Sequence, residues 1–166
     1  MFSFGKDINI LVSEFNEELK VVVDWLNANK LSLNIEKTNF MIFFPKGRLN
    51  SDIIIQMAGV NITEVNHVKF FGVILDNQLK WTNHITYIRS KTSKSVGIII
   101  KARKIFNTTT LTTLYYSLIY PYLSYCIHVW GGTYVSHLHD LFCLQKRVIR
   151  ILSGAPPRTH SSHRRW

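Results

Sequence analysis

The chain has 166 residues, of which 46% are hydrophobic and 18% are charged, and this composition is sufficient for a packed core and excludes disorder as the default state. Its 20 Lys and Arg residues against 10 Asp and Glu give a formal net charge of +10, which favours an anionic partner such as nucleic acid or an acidic membrane surface. The two cysteines, Cys126 and Cys143, are widely separated. They indicate neither a disulfide framework nor a four-ligand zinc site, and they favour a reducing compartment.

The charge is unevenly distributed along the chain. Residues 1–76 contain seven basic and nine acidic residues, a balance of −2. Residues 77–166 contain thirteen basic residues and a single acid, Asp140, a balance of +12. The sequence is therefore electrostatically two-part, and we expect the anion-binding surface in the second part.

The first predicted element is an amphipathic helix over Ile8–Asn29. Its apolar residues recur at three- and four-residue spacing, which is typical of a helix with one buried face; they are Leu11, Phe15, Leu19, Val22 and Leu26. Asn29 is an acceptable left-handed terminator. The segment before this helix has no basic leader followed by a long apolar run, which argues against a secretory signal peptide.

Short strands are predicted next. The segments LSLNI (31–35) and NFMIFF (39–44) are predicted as strands that flank an IEKT turn, and SDIIIQMAGVNIT (51–63) as a hairpin with Ala58-Gly59 at its turn. The segment HVKFFGVILD (67–76) is predicted as one further strand, in which Gly72 marks a bulge or a close backbone approach.

After Asp76 the pattern becomes helical, so the fold class is predicted as α+β followed by an all-helical part, with the join near Asp76–Trp81. Thr82 and Thr108 are predicted N-caps, and Gly154 with Pro156-Pro157 ends the last helix. The predicted helices are Thr82–Phe106, Thr108–Tyr120, Pro121–Val129 and Ser136–Leu152.

One uncharged stretch resembles a membrane span. Ile105–His139 contains no Asp, Glu, Lys or Arg, but its tyrosines, hydroxyl residues and central Pro121 favour a buried helix over a spanning one. We therefore expect no membrane partner.

The carboxylates do not form a catalytic pattern. Two-metal chemistry needs acids that converge from different elements, whereas Glu17 and Glu18 are adjacent on a helix and diverge. His137, His139 and Cys143 form an HxHxxxC pattern, but three ligand types without a fourth more often belong to a helix surface than to zinc. The sequence therefore predicts no metal site in this chain.

The basic residues form three clusters. On the Thr82–Phe106 helix, Ile85, Ile88, Val96 and Ile99 project to one side and four lysines project broadly to the other, which suits contact with a phosphate backbone. Any one cluster is usually a solubilising surface; three clusters with one acid in ninety residues favour nucleic-acid contact. The clusters are Lys91, Lys94, Lys101 and Lys104; Lys146, Arg147 and Arg150; and Arg158, Arg164 and Arg165.

Four stretches, in this order and spacing, resemble the reverse transcriptase (RNA-directed DNA polymerase) of non-LTR, LINE-type, jockey-like retrotransposons. Together they are far more specific than any one alone, and the resemblance runs from about residue 1 to residue 160. The stretches are NEELKVVVDWLNANKLSLNIEKTNFMIF, VKFFGVILDNQLKWTNHI, LYYSLIYPYLSYCIHVWGGTY and LQKRVIRILSGAPPRTH.

The resemblance implies a position within the polymerase. In that family the helix containing NEELKVVVDWL follows the F/Y-A-D-D box, whose aspartates hold Mg²⁺ with a third Asp further upstream. The chain is therefore expected to start after that box and to lack the catalytic aspartates, so that Mg²⁺ is expected only for the complete polymerase. The remaining partners implied are an RNA template, a DNA primer, and the missing N-terminal palm and fingers.

The resemblance also implies roles for individual residues. Lys37 is best matched to the lysine that supports phosphate chemistry at the incoming nucleotide, and Phe70, Phe71 and Gly72 to the primer grip. Because Phe70 and Phe71 alternate along a strand, at least one of them is expected in the core. Helix packing rather than base stacking is expected for Tyr115, Tyr116, Tyr120, Tyr122 and Tyr125.

Three regions are predicted: a C-terminal palm part over residues 1–76, a helical thumb-like domain over 77–154 and a basic tail over 155–166. The end SSHRRW departs from the family and is expected to mark a truncation or frameshift. A nuclear or cytoplasmic location is expected. Two alternatives stay open: a stand-alone module that grips RNA or DNA without sequence preference, which predicts salt-sensitive affinity, and a non-functional relic, which predicts aggregation through uncovered strands.

Overall fold

The computed structural model describes residues 1–43 and 53–155. Predictions for residues 44–52 and 156–166, including the third basic cluster and the Pro156-Pro157 stop, lie outside the described residues. The chain divides between Val68 and Lys69 into two compact units. Both contain helices and short strands, which is compatible with the predicted α+β class. The functional division into palm, thumb and tail stays a prediction.

The first unit begins with helix α1, Ile8–Ala28, where periodicity predicts it. The Asp7 carboxylate accepts hydrogen bonds from the amides of Asn9 and Ile10 and so satisfies two donors of the first turn. The prediction that Asn29 is left-handed is wrong, because Asn29 has φ −89°. The next residue, Lys30, takes the left-handed conformation instead, with φ 55°.

Strands in the first unit are very short. A 3₁₀ turn over Ile35–Lys37 confirms the IEKT turn. The predicted LSLNI strand does not form: the Asn34 side chain accepts a hydrogen bond from the Lys37 amide, which draws the chain into the turn. Strands β1 (Asn39–Phe40), β2 (Gln56–Met57), β3 (Val60–Asn61) and β4 (Thr63–Glu64) follow.

These strands form two small sheets. β1 pairs parallel with β4, and β2 pairs antiparallel with β3 around the turn predicted at Ala58-Gly59. Asn16 of α1 satisfies backbone groups of the hairpin by accepting from the Gln56 amide and donating to the Ile54 carbonyl. Below this bridge lies the unit's core, formed by Leu19, Ile55, Met57 and Ile62.

The segment predicted as one strand over 67–76 is a hairpin. Strands β5 (His67–Phe70) and β6 (Val73–Asp76) pair with each other. Phe71 and Gly72 between them both have positive φ, 43° and 84°, which is the combination that a type I′ turn requires. Gly72 thus marks a turn rather than a bulge.

Five helices follow. Neither predicted threonine caps its helix: Trp81 precedes the first without a side-chain cap, and Asn107 caps the second by accepting from the Thr110 amide. The predicted Pro121–Val129 helix is broken because Cys126 is left-handed, with φ 51°. The helices are α2 (Thr82–Ala102), α3 (Thr108–Leu118), α4 (Tyr120–Ser124), α5 (Ile127–Trp130) and α6 (Val135–Leu152).

Gly154 ends α6 as predicted. It has φ 67°, its amide donates to the Ile151 carbonyl, and the Ala155 amide donates to the Arg150 carbonyl. These two bonds are those of a Schellman motif, which satisfies carbonyls that the helix end leaves unpaired.

Two apolar clusters hold the second unit together. The first half of α2, through Ile85 and Ile88, packs with Leu141 of α6, and the second half, through Ile99, packs with Val148. The first half of α2 thus contacts a residue early in α6, and the second half contacts a residue late in α6. The two helices therefore run in the same direction. Among the described residues no helix is both long and apolar enough to cross a membrane.

His84 is a buried titratable group in this core. Its Nδ1 accepts a hydrogen bond from the Ile74 amide, its ring meets Trp130 edge to face, and burial lowers its pKa below 6.5. The unfolded chain therefore binds this proton more readily than the folded chain. The stabilising contribution is complete above pH 6.5 and is lost as the pH falls through 6.5 towards the folded pKa.

Replacing this histidine should therefore change how stability depends on pH. We expect the free energy of unfolding to fall less between pH 7.5 and pH 5 in His84→Asn, whose amide oxygen still accepts from the Ile74 amide. Urea titrations across that range check this. Equal slopes in the wild-type protein and in His84→Asn would contradict the assignment.

Candidate nucleic-acid interface

Two aromatic rings stand exposed at the end of the β5–β6 hairpin. Phe70 is 58% exposed and Phe71 79% exposed, and their rings meet edge to face with centroids 4.5 Å apart. The expectation that one of them lies in the core is wrong, because the chain turns here and does not continue as a strand. The structure thus brings together the three residues predicted as a primer grip, Phe70, Phe71 and Gly72, here called the hairpin tip.

Tyr125 contacts the backbone of the hairpin tip. Its hydroxyl donates a 2.7 Å hydrogen bond to the Phe71 carbonyl. A Cβ added at Gly72 would lie 3.4 Å from Cε1 of the same ring. The neighbouring Cys126, chiefly through the charge of its thiolate, raises the pKa of Tyr125 above 10.0. The phenol is therefore protonated and able to donate at neutral pH.

The other tyrosines divide between packing and exposure. Tyr115 is buried and Tyr122 is half-buried, as predicted for helix packing, but Tyr116, Tyr120 and Tyr125 are exposed. The rings of Tyr115, Tyr116 and Tyr120 meet as one aromatic group. Tyr116 and Tyr120 therefore pack against Tyr115 although they are exposed, and Tyr125 packs against the hairpin tip.

Helix α2 has the buried and cationic sides that its sequence predicts. The four apolar residues predicted on one side, Ile85, Ile88, Val96 and Ile99, are buried, whereas Ile98 and Ile100 of the same helix are exposed. Lys91, Lys94 and Lys101 are exposed on the helix, and Lys104 is exposed just beyond its end. Nucleic-acid contact by these lysines stays a prediction.

A cation cluster that sequence reasoning missed lies beside the hairpin tip. The Lys69 ammonium is 3.3 Å from the Tyr87 hydroxyl and 4.8 Å from the ring centroid, and the Lys91 ammonium is 5.6 Å from the same centroid. We call Lys69, Tyr87 and Lys91 the Tyr87 cluster. The only feature of the sequence that could have indicated this cluster is Lys69, directly before Phe70. Its proximity to Tyr87 could be inferred only after the turn at Phe71-Gly72 was known.

The second predicted basic cluster lies on α6. Lys146 is half-buried with its ammonium 4.1 Å from the Phe142 ring centroid, Arg147 is exposed, and Arg150 is half-buried. Aromatic contact of this kind holds a cation in place without neutralising it. Binding of nucleic acid by this cluster also stays a prediction.

Both carboxylates of the second unit are already engaged. From Lys69 onwards the sequence contains two acids, Asp76 and Asp140. Asp76 accepts from the amides of Gln78, Lys80 and Trp81, and Asp140 pairs with Arg89 at 2.8 Å. The lysines of α2 and of the Tyr87 cluster are therefore left to attract an external anion.

Lys37 belongs to the first unit, where it is exposed at the end of the 3₁₀ turn. Its predicted part in phosphate chemistry stays a prediction. In residues 1–43 and 53–155 no group of three or more His, Cys, Asp and Glu side chains lies close enough together to hold a metal ion. Of the HxHxxxC pattern, the thiol of Cys143 lies 3.8 Å from the His139 ring nitrogens.

Relatives with described activities are similar to most of this chain. It is 25% identical to the probable RNA-directed DNA polymerase from transposon X-element of Drosophila melanogaster. That alignment of 134 residues covers 79% of this chain and 14% of that protein. It is 28% identical to the RNA-directed DNA polymerase from mobile element jockey of the same organism. That alignment of 156 residues covers 92% of this chain and 17% of that protein.

A third relative, the probable RNA-directed DNA polymerase from transposon BS of Drosophila melanogaster, is 24% identical over 169 residues. No family model and no solved structure matches the chain. The chain spans only 14% to 18% of the length of these relatives. These similarities confirm the resemblance stated from the sequence motifs: most of the chain is similar to proteins named as RNA-directed DNA polymerases from mobile element jockey and from transposon X-element.

Proposed function

We propose that this chain is the part of a retrotransposon RNA-directed DNA polymerase that holds the template–primer duplex. The hairpin tip serves as the primer grip, and the cationic side of α2 holds the phosphate backbone of the RNA template and DNA primer. The observation that carries the proposal is the pairing of an exposed aromatic tip with lysines that neither Asp76 nor Asp140, the acidic side chains of their unit, neutralises.

The physical argument follows from how proteins hold nucleic acid without reading its sequence. Exposed aromatic rings stack on bases of any type, and lysines contact phosphates and release the condensed counterions. A rigid backbone makes such contacts more favourable because less freedom is lost on binding. Tyr125 supplies that rigidity at the tip through its hydrogen bond to the Phe71 carbonyl.

The proposal assigns no chemical step to these residues. Phosphoryl transfer in polymerases requires converging carboxylates that hold metal ions and stabilise the developing charge, and these would come from the rest of the parent polymerase. The 166 residues alone are therefore expected to bind a primed template and not to extend it.

A titration against salt tests the binding. Three phosphate contacts give a slope of about −2.7 for log affinity against log salt, so the affinity for a primed RNA–DNA duplex should fall about 40-fold between 50 and 200 mM salt. Fluorescence anisotropy with the 166-residue chain measures this. Absent or salt-insensitive binding would overturn the proposal. Extension of the primer in magnesium and nucleotides would contradict the assignment of the chemistry to other parts of the polymerase.

A further inference from the structure

The Tyr87 cluster is an unusual arrangement of like charges. Two ammonium groups, from strand β5 and helix α2, lie close to one tyrosine: Lys69 donates a 3.3 Å hydrogen bond to the Tyr87 hydroxyl, with its ammonium 4.8 Å from the ring centroid, and the Lys91 ammonium lies 5.6 Å from that centroid. A tyrosine ring attracts cations through its negative face, which partly offsets their mutual repulsion. The ring carries no net charge, so the pair stays attractive to an anion.

The protein itself does not supply that anion within its described residues. The ion pairs found in residues 1–43 and 53–155 involve Lys20, Arg89 and His139, and neither lysine of the Tyr87 cluster takes part in them. Asp76 and Asp140, the acids of this unit, are occupied by backbone amides and by Arg89. An external oxyanion would therefore restore charge balance at the cluster.

The position of the cluster indicates which anion fits. Lys69 directly precedes Phe70 in the chain, so the backbone of the cluster lies one residue from the hairpin tip, while the side chains of Lys69 and Phe70 project to opposite faces of strand β5. A nucleic-acid strand presents a base and a phosphate from every nucleotide. A base against Phe70 or Phe71 would leave a nearby phosphate of the same strand within reach of the lysines.

We propose that Lys69 and Lys91, held on the Tyr87 ring, form a clamp for one phosphodiester of the strand whose end lies on the hairpin tip. This inference rests on the proposed function and adds a defined phosphate site with named residues. Lys94 and Lys101 contact the backbone as well, but within the described part of the chain neither ammonium lies over an aromatic ring. The clamp predicts that affinity depends on Tyr87, a residue without charge.

Substitutions separate the clamp from general attraction. Lys69→Gln, Lys91→Gln and Tyr87→Leu should each weaken duplex binding about fivefold, and the Lys69→Gln/Lys91→Gln double variant should lose less than the product of the single losses, because both lysines hold one phosphate. Tyr87→Phe keeps the ring but removes the hydroxyl to which Lys69 donates, so it should lose affinity, though less than Tyr87→Leu. The matched control Lys94→Gln should combine multiplicatively with Lys69→Gln.

The phosphate is located with duplexes that carry a single neutral methylphosphonate at successive positions of the primer strand. Neutralising one position near the 3′ end should weaken binding of the wild-type chain and leave the already weakened binding of Lys69→Gln/Lys91→Gln unchanged. If the loss is the same at every position, or if Lys69→Gln and Lys91→Gln combine multiplicatively, the clamp is overturned while the proposed function stands.

The two proposals fail in different ways. If the wild-type chain binds in a salt-dependent manner and none of these variants changes the affinity, only the clamp proposal is overturned. Absence of duplex binding by the wild-type chain would remove both. Because Tyr87 also packs against the apolar cluster of α2, unfolding of Tyr87→Leu is checked by circular dichroism, and the lysine double variant decides the question if that protein does not fold.

Discussion

The Phe71→Asn variant is expected to be more stable than the wild-type protein and yet to bind a primed duplex more weakly. Phe71 has φ 43° and is 79% exposed, so its ring contributes little to the core while its backbone occupies a conformation that bulky residues rarely adopt. Asparagine tolerates this conformation, and Asn-Gly is a preferred type I′ turn. The gain should be about 0.5–1 kcal/mol in the free energy of unfolding.

Binding should change in the opposite direction, because the variant removes one of the two rings on which a base can stack. Loss of such stacking costs about 1–3 kcal/mol per base, or about 5- to 150-fold in affinity. Urea unfolding and anisotropy on the same preparation measure both quantities. A variant that gains stability and keeps its affinity would show that the hairpin tip does not touch the nucleic acid.

The chain contains a matched control for this experiment. Ala58 and Gly59 form a turn in which both residues likewise have positive φ, 53° and 76°, and Ala58 is also exposed. Ala58→Asn should therefore raise stability by a similar amount, about 0.5–1 kcal/mol, with no change in duplex affinity. A parallel loss of affinity in this variant would assign the effect on binding to the asparagine rather than to the missing ring.

The long helices could be predicted from sequence because their apolar spacing repeats over several turns. α1, α2 and α6 begin within one residue of the predicted positions, and α2 buries the predicted isoleucines on one side. The cationic side followed from the same periodicity. Where a helix depends on one residue's backbone, prediction failed, as at Cys126, whose left-handed conformation separates α4 from α5.

The hairpin tip could not be predicted in this way. Type I′ turns usually contain Asn-Gly or Asp-Gly. Phe71-Gly72 lacks this signature, so the sequence predicted one continuous strand. The exposure of both phenylalanines and the proximity of Lys69 to Tyr87 follow only from the turn. The relation between residues 18 positions apart depends on tertiary structure that local patterns do not contain.

The second large effect is expected at Asp76, which is buried at the end of β6. Its Oδ2 accepts a 2.7 Å hydrogen bond from the Trp81 amide, and its Oδ1 accepts from the amides of Gln78 and Lys80. These bonds fix a connection in which Leu79 and Trp81 both have positive φ, 51° and 65°. Bulky residues persist in this conformation only when their surroundings hold them there.

Asp76→Ala should therefore destabilise the protein by about 3 kcal/mol, because charge-assisted hydrogen bonds are lost and the buried Trp81 amide is left without its partner. The matched control is Asp140→Ala, the other carboxylate of this unit. Its pair with Arg89 is exposed on both sides, so that variant should lose less than about 1 kcal/mol. Urea unfolding compares the two.

The position of Asp76 makes this effect relevant to binding. The connection that it fixes joins β6 of the hairpin to α2, the helix that carries Lys91, Lys94 and Lys101. Loosening it should weaken duplex binding even though removal of a negative charge alone would strengthen attraction to phosphate. Tighter binding by Asp76→Ala would mean that only the net charge of this unit matters, whereas weaker binding would show that the geometry fixed by Asp76 is required.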